Sequence, residues 1–155
     1  MKLYSWNVNG IRAAEKKGFL DWLQKTQPDI ICVQETKAAV DQLSDSILTD
    51  HGYHAYFHSA DRRGYSGVAT FCKTEPLFVQ EGLGINRFDS EGRVLITEHQ
   101  SFLLYNIYFP NGQKNDERLQ YKLDFYDKLL PIINEQVESG INVVVTGDWN
   151  TAHYP

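Results

Sequence analysis

The sequence predicts an α/β (α+β) domain in which a mixed, mostly antiparallel sheet carries helices on one face. Three observations support this. The short apolar runs Ile30-Ile31-Cys32-Val33 and Ile141-Asn142-Val143-Val144-Val145 read as buried strands. Between them lies a series of aromatic and β-branched runs punctuated by Gly, Pro, Asp and Asn, the pattern of antiparallel strands. Segments with helical spacing precede and follow that series.

In chain order, Leu3-Tyr4-Ser5-Trp6 reads as a first strand, broken by Asn9-Gly10. Ile11 to Gln27 reads as a helix with Phe19, Leu20 and Leu23 on one face, closed by Pro28. A second strand from Asp29 to Val33 completes a β-α-β start, and a second helix from Val40 to Leu48 carries Leu43, Ile47 and Leu48. Tyr53 to His58, Gly67 to Cys72, Leu77 to Gln80, Arg93 to Glu98 and Phe102 to Phe109 read as a meander. The longest helix is expected over Asp116 to Glu138, with Leu119, Leu123, Tyr126, Leu130, Ile133 and Val137 as its buried stripe, a bend at Pro131 and Gly140 as its stop. No repeat, low-complexity tract or linker divides the chain.

A length of 155 residues, 42% of them hydrophobic, supports one ordinary core. Fifteen Lys and Arg against twenty Asp and Glu give a net charge of −5, so any contact with nucleic acid has to be local. Cys32 and Cys72 sit inside strand-like runs without a CxxC spacing and read as reduced core thiols rather than a disulfide. His51, His54, His58, His99 and His153 lack zinc-ligand spacing and read as surface or strand histidines. Without the apolar stretch of a signal peptide or a membrane span, the chain is expected to be cytoplasmic, with no membrane partner.

The chemistry gathers at the ends of the predicted strands, the edge at which open α/β sheets bind ligands. In Gln34-Glu35-Thr36-Lys37, Glu35 follows a buried run, where a carboxylate suits Mg²⁺ and equally suits a solvated loop. In Gly147-Asp148-Trp149-Asn150, Asp148 can take a proton from water or bind metal while the Asn150 amide donates to a phosphoryl oxygen. The same spacing also forms a locally bonded turn. Asn7 and Asn9 can orient a carboxylate or phosphate, or simply turn the chain. Arg62-Arg63 followed by Gly64-Tyr65-Ser66-Gly67 combines charge, an aromatic ring and two flexible glycines, as a nucleic-acid-facing loop or a hairpin would. Tyr108, just before Pro110-Asn111-Gly112, either reaches the carboxylates or stays in the core.

Together these stretches closely resemble the exonuclease III family of apurinic/apyrimidinic endonucleases, within the superfamily that includes deoxyribonuclease I-like enzymes. The resemblance is carried by Ser5-Trp6-Asn7-Val8-Asn9-Gly10-Ile11-Arg12-Ala13, Gln34-Glu35-Thr36-Lys37, Gly64-Tyr65-Ser66-Gly67-Val68, Glu91-Gly92-Arg93, Tyr108-Phe109-Pro110-Asn111 and Gly147-Asp148-Trp149-Asn150. It implies part of a four-layered α/β sandwich and a Mg²⁺-dependent DNA repair nuclease, with Mn²⁺ as a substitute metal. Such an enzyme cleaves double-stranded DNA 5′ to abasic sites and trims 3′ ends. By that resemblance Glu35 and Asn7 hold the metal, with Lys37 and Asn9 around them. Asp148 activates the water, Asn150 and Tyr108 hold the phosphate, and Arg12, Tyr65 and Asn111 face the DNA. Arg93 is implied to be a partner within the fold.

Members of that family continue past this length, with a later Asn, a late Asp and a Ser-Asp-His turn. Residues 1–155 are therefore expected to be the N-terminal half of the domain. A second sheet would come from the other half, leaving an exposed sheet face open to self-association or to a complementary chain. Two other readings remain: a catalytically incompetent fragment serving as a binding module, and a superfamily phosphatase acting on phosphoinositide or phospholipid headgroups. The stretches Trp6 to Arg12 and Gly64 to Gly67 point to the DNA branch.

Overall fold

The computed structural model describes residues 1–151. Four strands, β1 (Leu3–Asn7), β2 (Ile30–Gln34), β3 (His54–His58) and β4 (Val68–Cys72), form one sheet in the order β1-β2-β4-β3. Four more, β5 (Phe78–Glu81), β6 (Val94–His99), β7 (Phe102–Tyr108) and β8 (Val143–Asp148), form a second in the order β5-β6-β7-β8. The β1/β2 and β7/β8 pairs are parallel and all the others antiparallel. Every residue of β2 and β4 is buried, as expected for central strands covered on both faces.

Helices α1 (Ile11–Lys16), α2 (Phe19–Thr26) and α3 (Asp45–Leu48) supply Ile11, Phe19, Leu23 and Ile47 to one core, which includes Ile31, Val33 and Phe71 of the first sheet. On the second sheet, Phe88 of α4 (Asn86–Asp89) and Tyr121, Phe125 and Leu129 of α5 (Asp116–Glu138) pack on Ile96, Tyr105 and Ile107. A third cluster, Ile30, Cys32, Cys72 and Leu104, lies where the sheets face each other. The order is thus helix, sheet, sheet, helix, and this chain supplies all four layers. The expectation that the second sheet comes from elsewhere is corrected: β5 to β8 provide it. The predicted meander divides, with β3 and β4 joining the first sheet and β5 to β7 the second.

Polar pairs also hold the sheets together. Gln34 Nε2 donates to Asn106 Oδ1 at 2.8 Å, and Asn106 Nδ2 donates to Ala69 O at 2.8 Å, all of it buried. A buried amide left unpaired would cost about 1–3 kcal/mol, so only one docking of β7 over β2 and β4 satisfies the pair. His58 Nδ1 bonds Val94 O at 2.8 Å between the sheets, and His51 bonds Ile47 O at 2.8 Å. His58 is a strand histidine, as expected, whereas His51 is a buried group in a turn, neither surface nor strand; His153 lies outside the described residues. Cys32 and Cys72 are free and buried; burial pushes both thiols up, Cys72 to about 12.

The helices differ from expectation in ways that have local causes. Ile11 to Gln27 is two helices, because Gly18 takes a left-handed φ of 92° between them. Val40 to Leu48 splits into a 3₁₀ turn at Val40–Gln42 and α3, since Ser44 caps the latter by accepting from Ile47 N. Helix α5 has the expected bounds, and Pro131 lies within it. Its end is closed by Gly140 N on Val137 O and Ile141 N on Gln136 O. Its buried face is Tyr121, Phe125 and Leu129; of the expected stripe Tyr126 and Ile133 pack against the same core, while Leu119, Leu123, Leu130 and Val137 are exposed. Both sets of positions have helical spacing, and the face that carries Tyr121, Phe125 and Leu129 is the one turned to the sheet. Among the described residues no helix is long and apolar enough to cross a membrane.

Candidate active site at the carboxyl ends of the strands

Alternation along each strand determines what reaches the site. Leu3, Cys32 and Leu104 face the inter-sheet layer, so Asn7, Gln34 and Tyr108, an even number of residues further on, face it too. Val143 and Val145 pack toward α5, which turns Asp148 inward. The parallel registers place Asn7 beside Gln34 and Tyr108 beside Asp148.

Asn7 Nδ2 donates to Glu35 Oε1 at 2.8 Å and to Asp148 Oδ2 at 2.7 Å, bridging the two sheets. Its Oδ1 accepts from Asn9 N at 3.0 Å. The amide oxygen is therefore turned away from the carboxylates, and the Asn7 nitrogen bridges the two acids. Lys37 Nζ pairs with Glu35 Oε2 at 2.8 Å and also donates to Asn9 Oδ1. Burial alone would raise the Glu35 pKa, but Lys37, Asn7 and Tyr108 outweigh it and hold the carboxyl below its ordinary value. Burial, and next the Glu35 carboxylate beside it, push the Tyr108 hydroxyl up, so it remains protonated.

On the other sheet Asp148 Oδ1 accepts from Asn150 N at 3.0 Å, and Asn150 Nδ2 donates to Phe109 O at 2.8 Å. Trp149 stacks on Phe109 with ring centroids 4.3 Å apart. The turn requires Gly147: its φ is 145°, and a Cβ there would lie 1.8 Å from Ile107 O. Asn9, Glu35, Lys37, Ser66 and Asn150 all adopt positive φ between 46° and 54°. Asn tolerates this, whereas at Glu35 and Lys37 it costs about 1 kcal/mol or more each. The strain persists because Thr36 N bonds Gly67 O at 3.0 Å and Lys37 N bonds Ser66 O at 2.8 Å. Gly67 permits the approach, since a Cβ on it would meet Thr36 Oγ1 at 2.2 Å.

The structure brings together Asn7, Glu35, Lys37, Asn9, Tyr108, Asp148 and Asn150. Arg12 is exposed nearby, its Nη2 3.5 Å from Lys37 O. Asn111 is exposed on the loop after β7 and accepts from Gln113 N at 2.8 Å. Tyr65 is half-buried and accepts from Arg93 Nη2 at 2.8 Å, so its hydroxyl is committed to the fold, as is the buried Arg93. Sequence reasoning missed Lys122, whose Nζ donates to Asn150 O at 2.7 Å and Thr151 Oγ1 at 2.6 Å. It also missed Arg118, one helical turn earlier on α5; two cations four residues apart in a helix after a strand were the available signal.

Glu35 and Asp148 are hard oxygen donors converging on one amide. Among the described residues no three His, Cys, Asp or Glu side chains form a cluster. That donor set fits a cation of the Mg²⁺ kind, which is held by one or two carboxylates and completes its shell with water and phosphate oxygens.

Residues 4–154 match the Endonuclease/Exonuclease/phosphatase family. The chain is 42% identical to an exodeoxyribonuclease of Bacillus subtilis over 99% of its own length and 60% of the relative's. It is 42% identical to the DNA repair nuclease APEX1 of Danio rerio, over 99% of this chain and 50% of that one. The crystal structure of the Xenopus laevis APE2 catalytic domain superposes with a TM-score of 0.85 at 36% identity, covering 100% of this chain and 60% of that chain. The chain thus spans about half to 60% of the length of these relatives.

Proposed function

Because the chain belongs to the Endonuclease/Exonuclease/phosphatase family, we propose that this site hydrolyses phosphodiester bonds of double-stranded DNA 5′ to abasic sites, and trims 3′ ends. The observation that carries the reading is the Asn7 bridge between Glu35 and Asp148. It places two carboxylates, one from each sheet, at one point beside a protonated Tyr108.

Each Asp148 oxygen already accepts one hydrogen bond, which orients the carboxylate and leaves lone pairs free for a water. Asp148 takes the proton of that water as its oxygen attacks phosphorus in line, and the deoxyribose 3′ oxygen departs on the opposite side. The Tyr108 hydroxyl and the second Asn150 amide hydrogen donate to phosphate oxygens, where charge accumulates. Lys122 holds the Asn150 carbonyl and so fixes the turn. Glu35 would hold a Mg²⁺, or Mn²⁺ in its place, with Asn7 on Oε1 and Lys37 on Oε2 orienting the carboxylate. Such a metal supplies positive charge to the phosphate and the departing oxygen.

The test is incubation of the protein with a duplex carrying one abasic site, with Mg²⁺ or with EDTA. A nick 5′ to the site that EDTA abolishes is expected. Binding of the duplex without any metal-dependent nick would overturn the catalytic reading in favour of a binding module.

A further inference from the structure

Glu91 lies in the turn between α4 and β6, and none of the steps above uses it. Its carboxylate is shared by two guanidiniums. Oε2 accepts from Arg93 Nε at 2.6 Å and from Arg118 Nη2 at 3.0 Å, while Oε1 accepts from Arg118 Nη1 at 2.7 Å. The two arginines face in different directions. Arg93 is almost wholly enclosed, with Nη1 on Tyr108 O at 3.0 Å and its guanidinium 4.9 Å from the Tyr108 ring centroid. Arg118 is partly exposed and lines a surface cavity of about 460 Å³ with Arg62, Lys114 and Tyr65.

We propose that Glu91 is a positioning residue for phosphodiester cleavage: it pins Arg93 beneath Tyr108 and holds Arg118 back from the DNA backbone. The proposal rests on the function proposed above. The physical argument is one of partners. A buried guanidinium needs an anion, and Glu91 is the only carboxylate that Arg93 pairs with among the described residues. Burial alone would raise the Glu91 pKa, but Arg118 and Arg93 outweigh it, so the anion persists at neutral pH. Removal of that charge leaves Arg93 without its anion, held only by Tyr108 O and the Tyr65 hydroxyl, so that the guanidinium shifts, and with it the peptide and ring of the residue that faces the phosphate. It also releases Arg118 into a cavity lined by Arg62 and Lys114 as well as by Asp61. The two effects have opposite signs for turnover and for binding, which a merely structural role would not produce.

The test compares Glu91→Gln with the wild-type protein on a duplex carrying one abasic site. Turnover is expected to fall by about 10- to 100-fold, the scale of a misplaced catalytic group. The Kd for the same duplex should fall or stay level, and the slope of log K against log salt should steepen by about 0.9, one further phosphate contact. Glu91→Gln/Arg118→Gln should lose the extra slope and keep the low turnover. Wild-type turnover, or an unchanged salt slope, in Glu91→Gln would overturn the proposal. Failure of the wild-type protein to bind or cleave the duplex would instead remove the underlying function. A reading independent of activity is the ring resonance of carbon-13-labelled Tyr108, expected to move in Glu91→Gln and to stay in Arg118→Gln. An unmoved resonance would overturn the proposal even without a substrate. Should Glu91→Gln fail to fold, Glu91→Asp, too short to span both arginines, should show the same lowered turnover.

Discussion

Asn7 and Asp148, 141 residues apart in the chain, are joined by a 2.7 Å hydrogen bond from the amide of the first strand to the carboxylate of the last. The bond crosses from one sheet to the other, and the same nitrogen holds Glu35. Asn7→Asp would place a third carboxylate between two others. Turnover on abasic duplex should fall by at least about 10²-fold while the fold is kept, since like charges at this distance disfavour the shared ionised state. Near-wild-type turnover would show that the bridge is dispensable.

Asp148→Asn should leave the affinity for abasic duplex within about tenfold and lower the rate by at least about 10²-fold, the scale of a lost general base. Equal losses in binding and turnover would make Asp148 a purely structural or metal-holding group. Glu35→Gln should raise the Mg²⁺ concentration needed for half-maximal cleavage, and an unchanged requirement would remove Glu35 from the metal site.

Glu35 and Glu91 both have folded-state pKa values below the ordinary 4.5. Each therefore binds protons more weakly folded than unfolded, so its contribution is complete above 4.5 and is lost as the pH falls below it through the lowered values. Urea midpoints measured from about pH 7 to about pH 3 should drop at the acid end, and Glu91→Gln should flatten that drop.

Gly147→Ala forces a Cβ onto Ile107 O at 1.8 Å and should separate β7 from β8. A loss of about 3 kcal/mol or more is expected, read as a fall in Tm of roughly 6–12 °C. Phe125→Ala should cost about 3–5 kcal/mol and Leu123→Ala less than about 0.5 kcal/mol, because only the first lies beneath the helix. Equal costs would restore the leucine stripe as the packed face.

The sheet faces cover each other, but among the described residues β1 and β8 each have a paired neighbour on one side only, and they carry exposed Tyr4, Trp6 and Val144. The 155 residues on their own should associate as concentration rises, through these edges. Val144→Lys should reduce the association seen by light scattering, and a monodisperse wild-type protein at high concentration would remove the edges as the cause.

Much of this was legible in the residues themselves. Strand cores such as Ile30 to Val33, the bounds and glycine stop of α5, and the strand-end placement of Glu35, Tyr108 and Asp148 follow from apolar runs, period-two alternation and turn chemistry, all of which act over a few residues. The tertiary structure alone decided the rest. No local signal tells β3 and β4 to join one sheet and β5 to β7 another, because strand partners are chosen by hydrogen bonds between distant segments and by buried pairs such as Gln34 with Asn106. Both sets of positions on α5 had helical spacing, and only packing on the second sheet distinguishes the buried Tyr121, Phe125 and Leu129 from the exposed leucines. Asn7 bridges Glu35 and Asp148 only because two sheets, packed face to face, brought a second carboxylate within reach of its amide.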